Sequence, residues 1–67
     1  MTVAKIIEVT STSKVSFEDA IAKGVARAHK SLKNVRGAWV QDQKVDVEKG
    51  KVTGYRVTLK VTFILEG

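Results

Sequence analysis

The strictest constraint on this chain is its closing segment, where Tyr55, Val57, Leu59, Val61, Phe63 and Leu65 alternate with Arg56, Thr58, Lys60, Thr62 and Ile64. A period of two is the mark of a strand that buries one face. The opening stretch from Thr2 to Thr10, rich in Val, Ile and Thr, reads as another strand. Val3, Ile7 and Val9 share a face there, interrupted by Lys5. Thr10-Ser11-Thr12-Ser13 is expected to be a polar turn.

The period then changes. Phe17, Ala20, Ile21, Gly24, Val25, Ala28 and Leu32 recur at helical spacing and form one apolar stripe. Ser16 with Asp19 three residues on matches a capping box, and Glu18 and Asp19 suit the positive end of a helix dipole. Lys30 and Lys33 suit the other end, and Asn34 is a reasonable stop. Small residues at positions 20, 24 and 28 allow the helix to lie close to a sheet.

From Gly37 a long hairpin begins. Ala38 and Val40 alternate, as do Val45 and Val47, but in opposite phase, which predicts a bulge or bend near Asp42. Glu48-Lys49-Gly50-Lys51 supplies the turn, with Gly50 free to take φ > 0. The expected fold is α+β: a single domain over residues 1–67, in the order β-α-β-β, with a three-stranded antiparallel sheet wrapped over one helix.

Sixty-seven residues make a small core, and chains of this size usually recruit disulfides, a metal or further subunits. Cys is absent and His29 stands alone, so disulfides, thiolate sites and ordinary zinc sites are excluded. Oligomerisation is left as the extra source of buried surface. No segment has the length or apolarity of a membrane span or a signal peptide, so a cytoplasmic protein without membrane association is expected.

Catalysis finds no support: there is no Cys nucleophile, no Ser-His-acid set and no isolated carboxylate pair. We expect no enzyme. The net charge of +5 is compatible with phosphate-bearing partners. Lys23, Arg27, Lys30 and Asn34 follow helical spacing, yet no aromatic residues interleave them for base stacking. That stripe reads as a solvated helix face, not a nucleic-acid site. Asp42, Asp46 and Glu48 offer hard oxygen ligands of the kind calcium or magnesium takes, with Asp42 the candidate.

Trp39 lies between Ala38 and Val40 and therefore points to the opposite side of the strand. If its neighbours face the helix, the indole faces away from the core, with Gln41, Arg56, Thr58 and Lys60 beside it should the bulge follow Gln41. An aromatic platform with an amide and a cation suits a planar ligand. A subunit contact would bury the same indole.

The segments V-x-K-I-I-E-V-T-S-T-S, S-F-E-D-A-I, V-A-R-A-H-K-S-L-K-N-V, A-W-V-Q-D-Q-K-V and Y-R-V-T-L-K-V-T-F-I-L cover nearly the whole chain. In these segments and their order the chain resembles the dodecins, small flavin-binding proteins. The resemblance implies a homododecamer built from trimers, a hollow sphere that stores or sequesters riboflavin or FMN between subunits. Gly37 falls where the family's flavin-stacking tryptophan usually lies, and Arg56 where a glutamine contacts the ring. Both departures lie in the flavin pocket, and they bring the chain nearer to a branch associated with calcium. Trp39, two residues beyond Gly37 on the same face, offers a substitute stacking surface. The expected ligand set is thus Gly37, Trp39, Gln41 and Arg56, with a calcium- or magnesium-binding shell without flavin as the alternative.

Overall fold

In a computed structural model, residues 3–65 are described. They form β1 (Val3–Ser13), α1 (Phe17–Ser31), β2 (Val35–Glu48) and β3 (Lys51–Leu65). The strands make one antiparallel sheet in the order β1-β3-β2, so the last strand lies in the middle and the other two are edges. This is the β-α-β-β arrangement expected from the periodicities.

The central strand behaves as its alternation requires. Val57, Leu59, Val61 and Phe63 are buried, and Ala20 and Ala28 of α1 meet them from above. Fully burying one such aliphatic side chain contributes about 1.5–3 kcal/mol. Ile7, Val9, Phe17, Ile21, Val25, Leu32 and Val35 close around this core. Phe17 and Tyr55 meet edge to face, with ring centroids 5.2 Å apart.

Both ends of α1 are fixed by local chemistry. The Ser16 hydroxyl accepts from the Asp19 N–H at 3.0 Å, satisfying a donor that the first turn leaves free. At the other end the Leu32 N–H donates to the Ala28 carbonyl at 2.9 Å. The chain leaves the helix at Leu32, and Asn34 makes the turn into β2 with φ of 60°. Its carbonyl then accepts from the Ile64 N–H at 3.1 Å.

One expectation is corrected. Residues 10–13 are not a turn: β1 runs on to Ser13, paired with β3 along its whole length. The one buried hydroxyl of the four is accommodated because it is bonded. Ser13 is buried, donates to the Asp19 carboxylate at 2.5 Å and accepts from the Val15 N–H at 2.9 Å. A satisfied hydroxyl costs little to bury.

The predicted phase change is present, and it is a bulge. Val40 opposes Leu59 and Asp42 opposes Thr58, which leaves Gln41 without a partner across the ladder. The predicted turn is present as well, with Lys49 at φ 52° and Gly50 at φ 77°. Two consecutive left-handed residues match the twist of a hairpin.

The helix is shorter than the sheet. Fifteen residues span about 22 Å, whereas the subunit is 52 Å long. It sits over β1 and β3 and barely reaches β2. Val40, Val45, Val47 and Val52 are therefore exposed, although Val40 and Val45 lie on the helix side of the sheet.

Candidate functional site: the face turned away from the helix

Because Val57, Leu59, Val61 and Phe63 pack beneath α1, the alternate residues Arg56, Thr58, Lys60 and Thr62 form the opposite face. The ladder fixes their neighbours. Trp39 stands across from Lys60, and Glu8 of β1 flanks Lys60 on the other side. Gly37 stands across from Thr62, and Asp42 across from Thr58.

Trp39 thus points away from the helix, as the alternation around it predicts, and is 48% exposed. Beside it the surface is open. A Cβ built on Gly37 would find no atom within 4 Å. Gly37 and Trp39 lie two residues apart on one face, roughly 7 Å along the strand. The indole therefore borders a vacant strip of backbone floored by Gly37 and Thr62 and edged by Lys60. A flat aromatic ring fits such a strip, stacking on or edging the indole while the cation holds a carbonyl or an anionic group.

The remaining candidate residues are less closely grouped. Arg56 lies four positions along β3 from Lys60, about 13 Å away, and pairs with Asp46 at 3.5 Å. Gly54 makes room for that pairing, since a Cβ there would lie 3.1 Å from Asp46 Oδ2. Both partners are well exposed, so the bond is worth no more than about 1 kcal/mol and yields readily to a ligand. The condition that the bulge follow Gln41 is not met, because Gln41 is itself the extra residue. Asp42 instead takes the paired place on the outward row. Lys60 is the cation beside the indole, and counting back from the Glu48–Lys51 pairing at the turn would have ranked it above Arg56, since the extra residues Thr53 on β3 and Gln41 on β2 offset each other.

The acids of β2 do not converge. Asp42 opposes Thr58, Asp46 opposes Gly54 and Glu48 opposes Lys51. Among the described residues no three His, Cys, Asp or Glu side chains come together around a possible metal position. Lys23, Arg27 and Lys30 line the exposed side of α1, while Asn34 has left the helix. Among the described residues no helix is long and apolar enough to cross a membrane.

Fold and surface together define a β-α-β-β subunit with one sheet face and a long hairpin left bare. The dodecin family pattern matches residues 3–66, and the chain belongs to that family. It is 42% identical over 64 residues to the calcium dodecin of Mycobacterium tuberculosis, covering 94% of this chain and 89% of that protein. A point mutant of the Thermus thermophilus dodecin superposes with a TM-score of 0.93 at 33% identity, with both chains covered in full. The crystal structure of the Mycobacterium tuberculosis calcium dodecin, described as calcium chelating with a novel calcium-binding site, matches at TM-score 0.82 and 38% identity. That match covers 96% of this chain and 91% of the other.

Proposed function

We propose that this protein is a self-associating binding subunit, not an enzyme, that holds a flavin between copies on the face bearing Trp39. The observation that carries this reading is the exposed indole beside an empty strip at Gly37, on the side of the sheet its own helix does not cover. Stacking on Trp39 would supply the aromatic contact, and Lys60 and Arg56 would meet the ring carbonyls or the phosphate of FMN. A second copy would close the site from above, bringing its own indole. Assembly into a cytoplasmic homododecamer that stores or sequesters riboflavin or FMN is the form this reading takes.

Titration of the protein into riboflavin and into FMN, followed by flavin emission, tests it. Quenching at low micromolar protein that disappears in Trp39→Ala supports flavin binding. Unchanged emission from an intact assembly removes it.

A second reading is favoured by one specific observation, the 42% identity to a calcium dodecin. Calcium takes six to eight oxygens. With no three-carboxylate cluster among the described residues, a site here would draw on carbonyls, water or a second copy. Asp42, on the outward row, is the first side chain to test. Calorimetric titration with calcium, repeated on Asp42→Asn, separates the two readings, since only the calcium shell loses heat on that substitution.

A further inference from the structure

We propose that the exposed flank of α1 binds a linear chain of phosphate groups that carries no bases, as inorganic polyphosphate does. The surface lies on the helix side of the subunit, opposite the face of Trp39, and involves none of the residues assigned to flavin.

The excess charge of the chain is gathered in one stretch. Between Ala20 and Gln41 stand Lys23, Arg27, Lys30, Lys33 and Arg36 without a single acid, and these five bases equal the whole net charge of +5. Elsewhere bases and acids are equal in number. All five are exposed. Among the described residues the ion pairs are Lys23 with Asp19 at 3.0 Å and Arg56 with Asp46 at 3.5 Å. Arg27, Lys30, Lys33 and Arg36 therefore keep their charge unneutralised.

The helix sets three of these bases in a row. Lys23, Arg27 and Lys30 follow at i, i+4 and i+7, over about 10 Å along the axis. Lys33 comes just beyond the helix and Arg36 at the start of β2. The helix dipole accounts for cations in the last turn, where His29 and Lys30 lie. Arg27 lies before that turn, four residues from Lys23 and three from Lys30, where like charges repel. A string of anions laid along the row removes that repulsion.

The surroundings select the kind of anion. Single-stranded nucleic acid stacks its bases on aromatic rings set among the cations. No Phe, Tyr or Trp is exposed on α1, whose other exposed residues are Glu18, Ala22, Ala26, His29 and Ser31. A membrane surface takes up large apolar residues beside the bases, and here there are only two alanines. A bare phosphate polymer needs a row of charge and little else, since release of its counterions drives the contact. The alanines leave it room to approach.

Fluorescence anisotropy of end-labelled polyphosphate with the whole protein, over a series of salt concentrations, tests this. Binding at low salt is expected, with log affinity falling linearly against log salt. Arg27→Gln with Lys30→Gln should weaken it at least tenfold and flatten the salt slope. Both positions are exposed and Gln is a good helix former, so circular dichroism should show the fold retained. Lys49→Gln with Lys51→Gln, at the β2–β3 turn, removes the same net charge and should change the affinity less than twofold.

Equal weakening by the two pairs would overturn the assignment, because net charge alone would then hold the polymer. So would absence of binding at the lowest salt, tighter binding of duplex DNA at equal phosphate concentration, or retention on anionic vesicles in place of polyphosphate.

Discussion

Gly24 of α1 and Leu59 of β3 lie so close that a Cβ on the glycine would stand 2.9 Å from Leu59 Cδ1. Ser11 Cβ would be 3.1 Å away on the other side. The helix approaches the sheet this closely because position 24 has no side chain, and the core beneath is packed to that separation. Gly24→Ala gains about 0.8–1 kcal/mol of helix propensity but overpacks the contact at a cost of about 1–3 kcal/mol. We expect a net loss of about 1 kcal/mol, read as a lower urea midpoint. A raised midpoint would show that the sheet yields freely.

The Ser13 hydroxyl and, next, Lys23 at 3.0 Å hold the Asp19 carboxyl below its ordinary range. A lowered folded pKa means stability that is present above the unfolded value and is lost as pH falls through the folded one. The unfolding midpoints of the native protein and of Asp19→Asn should therefore differ at neutral pH and converge in acid. Parallel curves down to the lowest pH would remove Asp19 from the acid sensitivity of the fold.

Trp39 is the sole tryptophan, so its emission reports one environment. Within a lone subunit it is 48% exposed. Assembly that covers the outward face should shift its emission to the blue, and dissociation by dilution should return it to the red. Emission that stays red in the assembled protein would mean that the indole faces open solvent and no copy covers it.

The β2–β3 turn makes a local test. Gly50 has φ of 77°, where any other L-residue except Asn or Asp is strained, so Gly50→Ala should cost about 1–2 kcal/mol. Lys49, also left-handed at φ 52°, should gain a few tenths of a kcal/mol as Asn, which tolerates that region. Thermal unfolding of the two variants should move in opposite directions.

Lys60 and Arg56 are distinguished by ligand choice. Lys60, opposite the indole, should weaken both riboflavin and FMN when replaced by Ala. If flavin stacks on Trp39 as proposed, Arg56→Ala should weaken FMN more, since a guanidinium about 13 Å along the strand would reach a tail and not the ring. Unchanged affinity for both ligands in both variants would place the cations outside the site.

The helix, its N-cap, the central strand and the turn were legible because each depends on a local pattern: Ser16 before Asp19, small residues at 20, 24 and 28, and alternation from Tyr55 to Leu65. The helix ends earlier than expected, at Ser31 with Leu32 as C-cap, so Lys33 lies beyond its last turn. The end of β1 was not legible. Ser11 and Ser13 read as turn residues, and only the helix lying over them, with Asp19 to bond, makes a strand of them. In the candidate site, the outward direction of Trp39 followed from its neighbours. Its distance from Arg56 did not, because that depends on the partners β3 presents across the ladder. The exposure of Val40 and Val45 was hidden for a similar reason: their side of the sheet was readable, while the reach of α1 was not.

Along β2 only Arg36 and Gln41 have no residue opposite them. A one-codon deletion at either place would leave every other pairing in register. The same deletion at Lys44 or Gln43 would turn the remaining valines outward and the acids inward. The gene for this protein thus has two points where a strand can shorten without exchanging its wet and dry sides.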